Sequence, residues 1–100
     1  MKVSFIIPLY NCLPLTQAML ASLRETLPAG LAHELILVDD GSTDGTREWL
    51  RNLPAPCRPI LNEKNLGFAG ACNRGAAGAN GDLFFFLNND LILLPHWLEP

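Results

Sequence analysis

Apolar positions fall into two rhythms along this chain. Continuous hydrophobic runs of strand length occupy residues 2–8 (KVSFIIP), 34–38 (ELILV) and 82–87 (DLFFFL), with a weaker one at 58–61. Such short apolar blocks, rich in β-branched and aromatic residues, read as strands, and residues 34–38 suit one buried on both faces of a parallel sheet. Between them the rhythm changes to helical spacing. Residues 14–27 place Leu15, Ala18, Met19, Leu23 and Leu27 on one stripe, stopped by Pro28-Ala29-Gly30. A second helix is predicted over 44–53, with Ser42, Thr43 and Asp44 as competent N-caps and Trp49, Leu50 and Leu53 facing inward. A third spans 65–80. Its Gly and Ala content suits close approach to a sheet. Pro95 begins what reads as another helix.

The order βαβαβαβ predicts an α/β fold, three-layered, with a mainly parallel sheet and right-handed crossovers. Ligands of such sheets bind beyond the carboxyl ends of the strands. The polar clusters lie there: Tyr10-Asn11, Asp39-Asp40-Gly41-Ser42, residues 62–65 and Asn88-Asn89-Asp90 each follow a predicted strand. Chain-distant carboxylates are thereby brought to one rim.

Composition narrows the classes. With 100 residues, 49% of them hydrophobic and 17% charged, the chain has material for one small core and too little charge for disorder. A net charge of -3 and scattered Lys and Arg give no electrostatic footprint for nucleic acid. Cys12, Cys57 and Cys72 form no Cys-x-x-Cys pair. They read as small buried or half-buried apolar residues in a reducing cytoplasm. No apolar run reaches membrane-spanning length, and no signal-peptide pattern is visible. His33 and His96 read as surface or helix-end residues. A sheet ending after its fourth strand leaves an unpaired edge, which admits a homodimer.

The chemistry follows from the polar ends. A carboxylate from Asp39 or Asp40 suits the single ring N–H of uracil or thymine, although Asp-Gly-Ser turn chemistry alone also accounts for the pair. Asp90, beyond an apolar strand, suits a divalent cation bridging diphosphate oxygens, because hard cations need only one or two carboxylates beside phosphate and water. The Gly-rich stretch 67–75 contains neither standard phosphate-loop pattern.

The segments SFIIPLYN, ILVDDGSTDGT, NLGFAGACNRG and GDLFFFLNNDLILLPHWLE, in this order, resemble the N-terminal part of family 2 glycosyltransferases over nearly the whole chain. The variant is similar to rhamnosyltransferase-like and other cell-surface polysaccharide branches. The resemblance implies the Rossmann-like N-terminal half of a GT-A (nucleotide-diphospho-sugar transferase) fold, C-terminally incomplete. It implies transfer of a sugar from a UDP- or dTDP-linked donor to the hydroxyl of a saccharide or lipid-linked acceptor, in the cytoplasm or at the inner membrane face. Pro8 and Tyr10 match the loop that holds the nucleoside. One of Asp39 and Asp40 matches the base-binding acid, with Asp40 favoured. Gly67 and Asn73 match the segment lining the nucleotide pocket. Asn88-Asn89-Asp90 matches the DXD motif, with Asn89 beside the nucleotide and Asp90 the ligand of Mg2+ or Mn2+. Asn stands where many members have Asp, so the metal is expected to bind together with the diphosphate. The family's catalytic base and acceptor site lie in a later half, and no residue here matches a catalytic motif. A catalytically inactive nucleotide-binding fragment or interaction module is the alternative. A receiver-type signalling domain is remote, since a full strand–helix unit precedes the acidic pair and no Lys-bearing strand follows Asp90.

Overall fold

The computed structural model describes residues 1–88 and residue 93. The elements alternate as expected: β1 Val3–Leu9, α1 Leu13–Thr26, β2 His33–Asp39, α2 Thr46–Arg51, β3 Cys57–Leu61, α3 Gly67–Ala77 and β4 Leu83–Phe86. The four strands form one parallel sheet in the order β3-β2-β1-β4. Chain order reverses at β1, whose neighbours β2 and β4 lie on opposite sides. A crevice is therefore expected beyond its carboxyl end.

Side chains alternate between the two sheet faces. Phe5, Ile7, Leu9, Leu35 and Leu37 meet Met19, Leu20 and Leu23 of α1 and Leu50 of α2 in the larger core. Ile6, Ile36 and Val38 meet Ala71 of α3 on the other face. The result is three layers, α/β/α. No helix among the described residues is long and apolar enough to cross a membrane.

Several boundaries differ from the sequence pattern for physical reasons. β1 does not stop at Pro8 but runs through it to Leu9. Leu9 O accepts from Asp40 N and Ile6 O from Leu87 N. The alternation therefore turns Pro8 toward the β4 side, beyond the last β4 pairing at Ile6–Phe86. The missing proline N–H costs no ladder bond there. On α1 the buried stripe is Thr16, Met19, Leu20 and Leu23, while Leu15 is exposed. Thr16 substitutes for an apolar residue because its hydroxyl bonds back to Cys12 O. α2 is shorter than expected and has Gly45 as its N-cap. Asp44 instead accepts from the N–H and hydroxyl of Thr46, and those bonds, the hydroxyl's first, hold its carboxyl below the ordinary value. His33 is not at a helix end. It opens β2, half-buried, edge-on to Phe5. Cys12 is exposed rather than buried and occupies a left-handed backbone position with Asn11. His96 and Trp97 lie outside the described residues.

α3 sits close to the sheet at Gly75. A Cβ there would lie 2.5 Å from Ile6 Cγ2 and 2.9 Å from Val38 Cγ2. Both are methyls on stiff β-branched side chains, so the helix must shift to admit one. Overpacking of this kind costs about 1–3 kcal/mol, against a helix-propensity gain of at most about 1 kcal/mol. Gly75→Ala is accordingly expected to destabilise the chain, read as a lower urea midpoint at unchanged slope.

Candidate functional site

The carboxyl ends of the strands share one edge: Leu9, Asp39 and Leu61 are in register across β1, β2 and β3. Beside the reversal of strand order lies a cavity of about 410 Å³, within the range of small-ligand sites. Pro8, Leu9 and Tyr10 from the end of β1, Asp40 from the end of β2, Asn65, Gly67, Phe68 and Ala71 around the start of α3, and Asn88 after β4 line it. Four residues singled out from the sequence, Pro8, Tyr10, Asp40 and Gly67, are thus brought together. Tyr10 and Phe68 are exposed, 47% and 64%, and offer aromatic surface at the rim.

The adjacent acids part company. Asp39 continues the Leu35, Leu37 face and is fully buried. Its Oδ2 accepts from Arg47 Nη1 at 2.9 Å and from Ser42 N at 3.1 Å. Asp39 does not line the cavity. Its carboxylate anchors the turn into α2. Asp40 continues the Ile36, Val38 face, 5% exposed, and reaches the cavity wall. Its Oδ1 accepts from Leu66 N at 2.7 Å and from Asn62 Nδ2 at 3.1 Å, and its Oδ2 from Gly67 N at 2.9 Å. The carboxylate therefore clasps the start of α3 to the end of β2. A negative charge at a helix N-terminus is favourable in itself. Asn65 Oδ1 also accepts from Gly67 N at 2.9 Å. These contacts explain why α3 begins at Gly67, which has φ +79°, rather than at residue 65.

The loop after β1 is tied to the loop after β2. Asn11 N donates to Ser42 Oγ at 2.7 Å, and Asn11 Oδ1 accepts from Thr43 N at 2.7 Å. These bonds hold Asn11 and Cys12 in the left-handed region and set Tyr10 at the rim.

Asn73 is exposed on α3 and is not among the lining residues. Asn89 and Asp90 lie outside the described residues, while Asn88, two positions before Asp90, is on the cavity wall. Among the described residues no group of three or more His, Cys, Asp or Glu is placed to hold a metal ion. Asn65 and Asn88, from the strand-end polar clusters, also line the cavity, and Leu9, Phe68 and Ala71 do so without having been singled out as site residues. Phe68 carried one signal: an aromatic residue amid glycines and alanines at a predicted helix start.

Comparison with known proteins converges on this architecture. The family model described as glycosyl transferase family 2 matches residues 4–100. An uncharacterised glycosyltransferase of Nostoc sp. is 35% identical over 103 residues, covering 99% of this chain and 31% of the relative. The dolichol-phosphate mannosyltransferase of Pyrococcus furiosus is 37% identical over 93 residues, covering 91% of this chain and 26% of the relative. Among solved structures, S. aureus TarS 1-349 in complex with UDP-GlcNAc superposes with a TM-score of 0.86 at 26% identity, over 99% of this chain and 29% of that one. The chain spans under a third of the length of each. A parallel sheet ordered 3-2-1-4, a crevice at the reversal and a family match from Ser4 to Pro100 lead to one classification: the chain belongs to glycosyl transferase family 2 and has the GT-A fold.

Proposed function

We propose that this chain holds the nucleotide of an activated sugar donor, UDP- or dTDP-linked, for transfer of the sugar to an acceptor hydroxyl. The observation that carries this reading is the cavity at the strand-order reversal, where Asp40 and Tyr10 share one wall system. A uracil or thymine ring presents one N–H, which a fixed carboxylate accepts with a charge-assisted bond. Adenine has no such ring donor. Tyr10 and Phe68 supply apolar faces for a flat ring. Family membership and the UDP-GlcNAc complex of TarS support the same ligand class.

Asp90 is proposed as the protein ligand of Mg2+ or Mn2+, held together with the diphosphate. Such an ion neutralises charge on the departing nucleotide. The position of Asn88 on the cavity wall fits a diphosphate leaving the nucleoside pocket toward that motif. The transfer is proposed to be a direct displacement with inversion, the acceptor hydroxyl being deprotonated by a base. No residue of this chain is assigned that role. The acceptor class, saccharide or lipid-linked, and a place in cell-surface polysaccharide synthesis in the cytoplasm belong to the same proposal. The three unpaired thiols support that compartment.

Isothermal titration tests the reading. UDP is expected to bind, and Mn2+ to raise its affinity by roughly tenfold or more. Asp90→Ala is expected to bind UDP equally with and without the metal. A parent chain that does not bind UDP, or an Asp90→Ala variant with full metal dependence, defeats the assignment.

A further inference from the structure

We propose that Asn62 is a positioning residue for nucleobase selection: its side-chain amide occupies one oxygen of Asp40, leaving the other to accept a ring N–H in the cavity. This rests on the nucleoside reading of the cavity. Each carboxylate oxygen takes about two donors. Oδ1 of Asp40 has both, from Leu66 N and Asn62 Nδ2, whereas Oδ2 has Gly67 N alone. The one acceptor direction left among these contacts is on Oδ2, in a residue that lines the cavity. Asn62 thus decides which oxygen faces the ligand.

The backbone that carries this amide is fixed from the opposite face of the sheet. Asn62 is 3% exposed at the end of β3. Its N–H donates to Asp39 O at 2.8 Å. Its backbone carbonyl accepts from Arg47 Nη1 at 2.7 Å, the nitrogen that also pairs with buried Asp39. Asn62 Oδ1 has no hydrogen-bond partner among the described residues. A buried amide with an unpaired oxygen costs stability that an apolar residue of the same size would not. What the amide offers in return is its Nδ2 donor to Asp40. The orientation is unambiguous, because the flipped amide would set its oxygen against the carboxylate. Beside Asn62 the charged groups are Asp39, Asp40 and Arg47, with Glu63, Lys64 and Arg74 on the neighbouring cavity wall.

The test is the ratio of UDP to CDP affinity by isothermal titration. Uracil N3 donates and cytosine N3 accepts, so the ratio reports the carboxylate's aim. The parent is expected to prefer UDP between pH 6 and pH 8 and less strongly toward pH 5, where a carboxylate beside cytosine N3 favours its protonated, donating form. Asp40→Asn is expected to lose the preference, and retention would sink the nucleoside reading itself. Asn62→Leu, which removes the donor at similar volume, is expected to lower the ratio about tenfold. Asn62→Asp should keep the parent's ratio near about pH 5, where two adjoining carboxylates share a proton in place of the amide N–H. Its ratio should then fall as the pH rises and that proton is lost. A parent-like ratio in Asn62→Leu, or a ratio matching the parent's at every pH in Asn62→Asp, overturns the inference while leaving the Asp40 result standing. Should Asn62→Leu fail to fold, the isosteric Asn62→Asp profile decides alone.

Discussion

Asp40→Ala is expected to lower UDP affinity by about 100-fold and to destabilise the chain by about 2–4 kcal/mol. Both losses come from one carboxylate. On the ligand side, the charge that would meet the base N–H disappears. On the structural side, Leu66 N and Asn62 Nδ2 lose their shared acceptor and Gly67 N keeps only Asn65 Oδ1. Each abandoned donor costs about 1–3 kcal/mol when water does not replace the partner, and the exposure of Leu66 and Gly67 lets water offset part of this. Urea unfolding and titration calorimetry on one preparation separate the two effects. Unchanged stability would show that the clasp between β2 and α3 is not holding the site.

The second large effect concerns acid. Glu34, 3% exposed, lies at the end of the sheet remote from the cavity and joins four parts of the chain. It accepts from Ser4 Oγ of β1 at 2.6 Å, from Arg58 of β3 at 2.5 Å and from Asn80 N before β4 at 2.6 Å. Burial by itself would raise its pKa. The bonds from Ser4, Asn80 and Arg58 outweigh burial and bring it from 4.5 to about 2. A carboxyl depressed by folding stabilises above its unfolded value and loses that contribution as pH falls through the folded one. The stabilisation, about 3 kcal/mol, is therefore complete above about pH 5 and is progressively lost toward pH 2. Urea midpoints between pH 7 and pH 3 are expected to fall for the parent. Glu34→Gln should start lower at pH 7 and lose less over the same interval. Parallel curves would refute the role.

The succession of strands and helices along the chain and the parallel direction of the strands were legible because each strand is a short apolar block and each helix a stripe. The shared polar rim followed from that order. What the pattern hid has a common cause. Both faces of β2 are apolar, so alternation alone did not say which face carries the ligand, and only the family resemblance favoured Asp40 over Asp39. Their separation depends on Arg47 standing under one of them and the start of α3 over the other. Arg47, Asn62 and Glu34 act through partners 8 to 46 residues away, contacts that no local spacing reveals. The helix starts expected at residues 44 and 65 were those where that residue's own side chain accepts from the backbone N–H two positions on, the first residue of the observed helix, delaying its first turn.

The strand order also sets a timetable for synthesis. β1 begins at Val3 and all seven of its residues end up buried, yet one flank is closed only by β4, which begins at Leu83. A nascent chain therefore carries this fully buried strand with an open side until β4 has been translated. Pairing partners so far apart in the chain fold late and leave hydrophobic surface to chaperones in the interval. Release of the nascent chain before residues 83–86 emerge from the ribosome would leave β1 half-paired.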